Sequence, residues 1–259
     1  MNATITTPDW SDDTFLGGRL TLRQRRCGHR AGTDAVLLAS LLPPDANGHA
    51  VDAGAASGAA GLMVALRAPR LAIDLIEIDA NDCALAAHNI AANGLADRCR
   101  ILNADLFAPE AEREAAGLVK GRADYVLSNP PYLKADAARL SPDPARARAH
   151  ALPEDGLARW CRALAWLAAP DALLAVIHRA DALPDLLQAL DGRFGAVSLR
   201  PVLPRVDAPA SRILITARKG SRAPLSILPS FVLHDEGGQF THEATALHAG
   251  NYCFQTRID

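Results

Sequence analysis

No apolar run in this chain comes near the ~20 residues that a bilayer-crossing helix needs, so a helical membrane protein is not expected. Met1 to Asp13 lacks the basic start and apolar stretch of a signal peptide, which points to a cytoplasmic protein. Cysteine is sparse and scattered: Cys27, Cys83, Cys99, Cys161 and Cys253 are odd in number, form no C-x-x-C pair and have no clustered histidines beside them. That pattern speaks against a disulfide framework and against a zinc site, and no metal is expected. Lysine is nearly missing. Of the 27 Lys and Arg residues only Lys120, Lys134 and Lys219 are lysines, so arginine enrichment at any one place is weak evidence. A net charge of -2 gives no global sign of nucleic-acid binding, and there is no internal repeat and no low-complexity segment beyond alanine enrichment. What is present is a chain of 259 residues, 49% hydrophobic, ample for one sizeable core.

The most informative segment is Asn129-Pro130-Pro131-Tyr132, which directly follows Ala123-Asp124-Tyr125-Val126-Leu127-Ser128, a run that reads as a buried strand. A residue before proline is pushed out of the helical region, and two successive prolines stiffen the turn. Stiff turns at the carboxyl ends of strands are where open α/β sheets place ligands. This one offers an amide, a free backbone carbonyl and an aromatic face. The Asn129 side-chain oxygen and the Pro130 carbonyl can each accept one hydrogen bond from a planar NH2 group, while Tyr132 stacks on the ring that carries it. The nitrogen lone pair then faces an electrophile, which suits methyl transfer to an amino group on a conjugated system.

Upstream, Ala50-Val51-Asp52-Ala53-Gly54-Ala55-Ala56-Ser57-Gly58 gives a short strand, an acidic end and a small-residue loop running into a helix from Ala59 to Leu66. Gly54 and Gly58 allow close backbone approach to a ligand, with unpaired helix N–H groups behind them. Loops of this composition also join strands to helices in many α/β proteins, and G-x-x-x-G is not the dinucleotide fingerprint. The next strand, Leu71 to Ile78, ends in Glu77-Ile78-Asp79, about 20 residues beyond the loop, where an acidic residue meets a ribose in such folds. Glu77 can accept from both ribose hydroxyls and Ile78 can cover one face of an adenine. A helix from Ala80 to Ala92 closes at Asn93-Gly94, and a third strand, Arg100 to Asn103, leads to Asp105. Asp105 is placed to accept from the adenine amino group, with Leu106 and Phe107 as apolar neighbours, although an N-cap or turn role fits it equally well.

The ordered set Asp52-x-Gly54-x-x-x-Gly58, Glu77-Ile78-Asp79, Asn103-Ala104-Asp105 and Asn129-Pro130-Pro131-Tyr132 resembles the S-adenosylmethionine-dependent amino methyltransferases. Gln24 to Ala39 and the tail segments Lys219-Gly220, Leu228-Pro229 and Phe240-Thr241-His242-Glu243 further resemble the bacterial enzymes that methylate adenine N6 in valine tRNA beside the anticodon. The resemblance implies a seven-stranded Rossmann-like α/β sheet with helices on both faces and a final antiparallel strand pair. It implies S-adenosylmethionine as cofactor and structured RNA, tRNA foremost, as partner, with no DNA and no membrane. It also implies that Asp52 holds the loop or the cofactor's amino group and that Thr33 approaches the methionine end. Catalysis falls to Asn129, Pro130 and Tyr132, and cofactor binding to Thr33, Asp52, Gly54, Gly58, Glu77, Ile78, Asp105, Leu106 and Asn129. One departure stands out: the family's D-x-G-x-G-x-G loop has Ala56 in place of its middle glycine, which strains the backbone if that position needs positive φ.

The remaining chain completes the sheet. Helices are expected over Glu154 to Ala168 and Ala182 to Leu190, and strands over Ala172 to Ile177, Ala196 to Leu203 and Arg212 to Ala217. Trp160, Trp166, Leu164 and Leu167 read as core, and His178, His234, His242 and His248 as surface or capping residues. Residues 1–48 are expected to form a basic extension packed on a catalytic domain over 49–259. Between Thr14 and Thr33 no acidic residue occurs, so Arg23, Arg25, Arg26 and Arg30 are candidate phosphate contacts, as are Arg146 and Arg148 after the turn. Other acceptors remain open: an rRNA guanine or adenine, a protein glutamine, or a small-molecule amine. So does an RNA-binding module that has lost turnover. The glutamine reading is disfavoured because only ~50 residues precede Asp52, too few for a separate helical substrate domain.

Overall fold

The computed structural model describes residues 9–27, 30–131, 133–134, 151–152 and 156–255. The chain opens with a hairpin, β1 (Trp10–Phe15) and β2 (Leu20–Arg25), followed by α1 (Thr33–Ala39). An alternating unit follows: β3 (Asn47–Ala53), α2 (Ala59–Arg67), β4 (Arg70–Glu77), α3 (Ala80–Ala92), β5 (Cys99–Asn103), α4 (Glu110–Ala115) and β6 (Ala123–Ser128). Two-residue strands β7 (Leu133–Lys134) and β8 (Ala151–Leu152) pair in parallel. The second half holds α5 (Gly156–Leu167), β9 (Ala168–Arg179), α6 (Leu183–Leu190), β10 (Phe194–Leu203), β11 (Arg212–Lys219), β12 (Ser226–Ile227), β13 (Phe231–Val232) and α7 (His242–His248).

The main sheet runs β12-β10-β11-β9-β6-β3-β4-β5, with β13 also on β10. β9, β6, β3, β4 and β5 are parallel, and β11 is antiparallel to both β9 and β10. All seven expected strands are present. β12 and β13 extend the sheet to nine strands; at two residues each, on either side of Pro229, they are too short to show a period of two. The central strands are buried on both faces, as in Val51, Asp52 and Ala53 of β3. One core lies under α1, α2 and α3, the other under α5 and α6. Leu16, Leu20, Leu22 and all of Val36 to Ala39 belong to the first, so the N-terminal segment shares the core of the sheet.

Helix α3 shows how local chemistry sets boundaries. Asp79 caps it by accepting from the N–H groups of Asn81 at 2.8 Å and Asp82 at 3.2 Å, and Gly94 ends it at φ 66°. The chain then crosses to opposite sides after β3 and β6, so their carboxyl ends form the switch point at which such sheets bind ligands. Register aligns the ends: Glu77 lies opposite Asn103, Ala53 opposite Ile76, and Ala53 opposite Ser128. Four segments distant in sequence thereby meet along one edge.

Candidate active site

The loop after β3 is built on three left-handed residues: Gly54 at φ 77°, Ala56 at 47° and Gly58 at 88°. Gly54 and Ala55 donate to the Ile76 carbonyl at 3.0 and 2.9 Å, fastening the loop to β4. A Cβ on Gly54 would stand 3.1 Å from the Trp160 ring, and one on Gly58 2.9 Å from Leu75 Cδ1. Asp52 is 2% exposed and accepts from the Gly61 N–H at 2.8 Å, anchoring the start of α2. Burial pushes its carboxyl up to about 7; the Gly61 N–H opposes this and the Glu77 charge adds to it. The bond fastens the end of β3 to α2, across the loop that joins them.

Glu77 sits at the next strand end, half-buried. Its Oε1 accepts from the N–H groups of Ile78 at 2.7 Å and Asp79 at 2.9 Å, and its Oε2 from the Ala56 N–H at 2.9 Å. Oε2 retains a lone pair for a ligand hydroxyl. Ile78, the residue after β4, is 52% exposed despite its apolar side chain. Asp105 is exposed and folds an Asx turn by accepting from the Phe107 N–H at 2.7 Å through Oδ1. Leu106 faces the other way and is buried in the second core. Thr33, the first residue of α1, has its hydroxyl 3.4 Å from His248 Nε2, which ties it to the C-terminal helix.

The acceptor turn continues from β6: Asn129 is half-buried, Pro130 buried and Pro131 half-buried, while Tyr132 lies outside the described residues. Behind it stands Trp160 of α5, whose Nε1–H donates to Ser128 Oγ at 2.9 Å, and Ser128 in turn donates to the Ala53 carbonyl at 2.9 Å. Trp160 is core, as its spacing in α5 predicts, yet it also contacts the loops of the site. No signal separates those two roles, because an aromatic on the apolar face of a helix looks the same in either.

The basic arm is paired within the chain. Arg23 bonds Asp12 at 2.9 and 3.1 Å, Arg25 bridges Asp79 and Asp82 at 2.9 Å each, Arg30 bonds Asp13 at 2.6 Å, and Arg26 donates to the Trp10 carbonyl. The acid-free window of the sequence is folded back against Asp12 and Asp13, which lie just before it. Arg146 and Arg148 lie outside the described residues. His178 corrects an expectation: it is 3% exposed at the end of β9, where desolvation lowers its pKa, not a surface residue. Among the described residues, no three His, Cys, Asp or Glu side chains are grouped to hold a metal, and no helix is long and apolar enough to cross a membrane.

The strand order, the switch-point loop and the acidic residue ending β4 define the class: an S-adenosylmethionine-dependent methyltransferase of the seven-stranded α/β kind, enlarged at one edge. Residues 29–152 match the family model described as the methyltransferase small domain. A tRNA1(Val) (adenine(37)-N6)-methyltransferase of Porphyromonas gingivalis is 32% identical over 95% of this chain and 97% of its own length. One of Dickeya chrysanthemi is 30% identical over 93% and 94%. The crystal structure of an Agrobacterium tumefaciens protein described as a predicted O-methyltransferase superposes with a TM-score of 0.72 at 28% identity, over 85% of this chain and 98% of that one. The chain belongs to the tRNA1(Val) (adenine(37)-N6)-methyltransferase family.

Proposed function

We propose that this protein methylates the exocyclic N6 amine of an adenine in tRNA, working in the cytoplasm on a base turned out of its stack. The observation that carries the reading is the register that sets Ser128, and with it the Asn129 turn, beside the Gly54 loop, in a chain that matches tRNA adenine-N6 enzymes over nearly its whole length. S-adenosylmethionine supplies an electrophilic methyl group. Glu77 Oε2 takes a ribose hydroxyl, Ile78 covers the adenine, Asp105 Oδ2 accepts from its amino group, and Gly54 lets the backbone come close. The Asn129 amide oxygen and the Pro130 carbonyl each accept a hydrogen bond from the target amine, and Tyr132 stacks on its ring; as the N–C bond forms and the C–S bond breaks, the thioether leaves and the amine gives up one proton to solvent. Rate then comes chiefly from holding donor and acceptor in line.

Two acceptors at the turn favour an amine over an alcohol, since a hydroxyl has a single proton to give. This separates the reading from the description attached to the Agrobacterium protein. Labelled methyl transfer to tRNA, rRNA and protein fractions tests it. The expected result is label in tRNA, recovered as N6-methyladenosine and reduced at least about a hundredfold by Asn129→Ala. Label confined to protein or rRNA would overturn the tRNA assignment.

A further inference from the structure

Trp160 lies in no motif, yet it contacts three loops of the site. Its indole N–H reaches Ser128, the residue before Asn129, and the Ser128 hydroxyl reaches the carbonyl of Ala53, the residue before Gly54. This two-bond relay therefore joins the acceptor turn to the cofactor loop. It is withdrawn from water: Ser128 and Ala53 are 0% exposed and Trp160 8%. The ring also covers the position a Gly54 side chain would take, and it meets Phe107, two residues past Asp105, edge-on at 5.7 Å. Arg159 lies over that Phe107 ring at 4.6 Å.

A tryptophan that serves only as core needs area and any one acceptor for its N–H. Here the acceptor is the hydroxyl that spans two strand ends. The ladder between β3 and β6 ends at Ala53 opposite Ser128, so beyond it the two loops diverge and their separation is set by what bridges them. Serine has one proton, given to Ala53, and lone pairs that take the Trp160 N–H. In a buried, low-dielectric setting each bond of such a chain strengthens the other.

We propose that Trp160 is a positioning residue for methyl transfer. Through Ser128 it fixes the separation of the Gly54 loop and the Asn129 turn, and through Gly54 and Phe107 it holds the adenine-side loop in the same frame. It acts through these neighbours, and the inference rests on the roles given above to Asn129 and Gly54. Trp160→Phe keeps most of the ring and removes the N–H; Ser128→Ala removes the centre of the relay. In each, kcat on tRNA is expected to fall about ten- to a hundredfold, because an ångström of misplacement costs on that order. KM for S-adenosylmethionine should stay close to the parent value, Tm should fall by only a few degrees, as the loss of one buried hydrogen-bond partner requires, and the double variant should be no slower than the slower single one. Losses that multiply in the double variant, or that appear wholly in KM and Tm, would overturn it. A second readout needs no RNA: with Trp10→Phe and Trp166→Phe removing the other two indoles, S-adenosylhomocysteine should shift the Trp160 emission. Unchanged emission while calorimetry records binding would also sink the inference. If no tRNA accepts label, the proposed substrate fails and this titration alone judges the relay.

Discussion

Ala56 holds φ 47° between two left-handed glycines, a conformation that costs a residue with a Cβ about 1–2 kcal/mol. Glycine would lose about 0.5–1 kcal/mol more backbone freedom on folding, so Ala56→Gly should stabilise the fold by about 0.5 kcal/mol. Because the Ala56 N–H donates to Glu77, relaxing the loop should also tighten S-adenosylmethionine binding several-fold, read by calorimetry beside a melting curve. Asp52 makes a second residue-scale prediction. Its carboxyl has a higher pKa folded than unfolded, so the folded protein keeps the proton in a range where the unfolded chain has lost it. The contribution to stability is therefore full on the acid side and falls as pH rises to about 7. Asp52→Asn should flatten that fall in Tm measured between acid and neutral pH, while still accepting from Gly61. The glycine pattern marks Ala56 as strained if its φ is positive, and the structure supplies that φ. The protonation of Asp52 has no such mark, because it depends on burial by α2 and on the nearness of Glu77.

At the scale of elements, the hairpin is docked in a way that no periodicity announces. Asn89 on α3 and Asn93, which caps its C-terminus one turn later, act as a short strand: Asn89 exchanges hydrogen bonds with the Arg23 N–H and carbonyl at 2.7 and 3.0 Å, and Asn93 with those of Thr21 at 3.0 and 2.8 Å. Asn89 is also bound to the Ser57 carbonyl at 2.9 Å, linking the hairpin to the cofactor loop. Since Asn89 is fully buried, Asn89→Ala leaves several backbone groups without partners and should cost about 2–3 kcal/mol in urea unfolding. The half-buried Asn93 should cost about 1 kcal/mol by the same measurement. Strand and helix boundaries were legible because their signals are local: a proline turn, an Asp cap, a glycine stop. The docking was not, since an asparagine in a helix or at its end carries no mark of which backbone it will meet.

Charge is a property of the whole molecule here. Arg23, Arg25 and Arg30 look free in a linear reading, and the tertiary structure gives each a carboxylate. Arg25 in particular braces the start of α3, beside Glu77 and Ile78. Arg25→Ala should therefore lower Tm and weaken cofactor binding while leaving the salt dependence of tRNA affinity unchanged. An arginine that grips a phosphate behaves in the opposite way, its removal reducing the slope of log affinity against log salt by about 1. Comparing Arg25→Ala with Arg146→Ala and Arg148→Ala in a salt titration of tRNA binding separates the two kinds of arginine.

The sequence by itself determined the kind of sheet, the order of the loops along its carboxyl edge and the stiffness of the Asn129 turn. Each is set by neighbours in the chain: apolar runs make strands, glycines permit left-handed turns, and Asn-Pro-Pro can adopt few conformations. Only the tertiary structure decided which groups are charged, which arginines are already paired and what joins the two halves of the site. Those outcomes depend on burial and on distances of a few ångströms between segments far apart in the chain, and both come into being only when the sheet has closed around its helices.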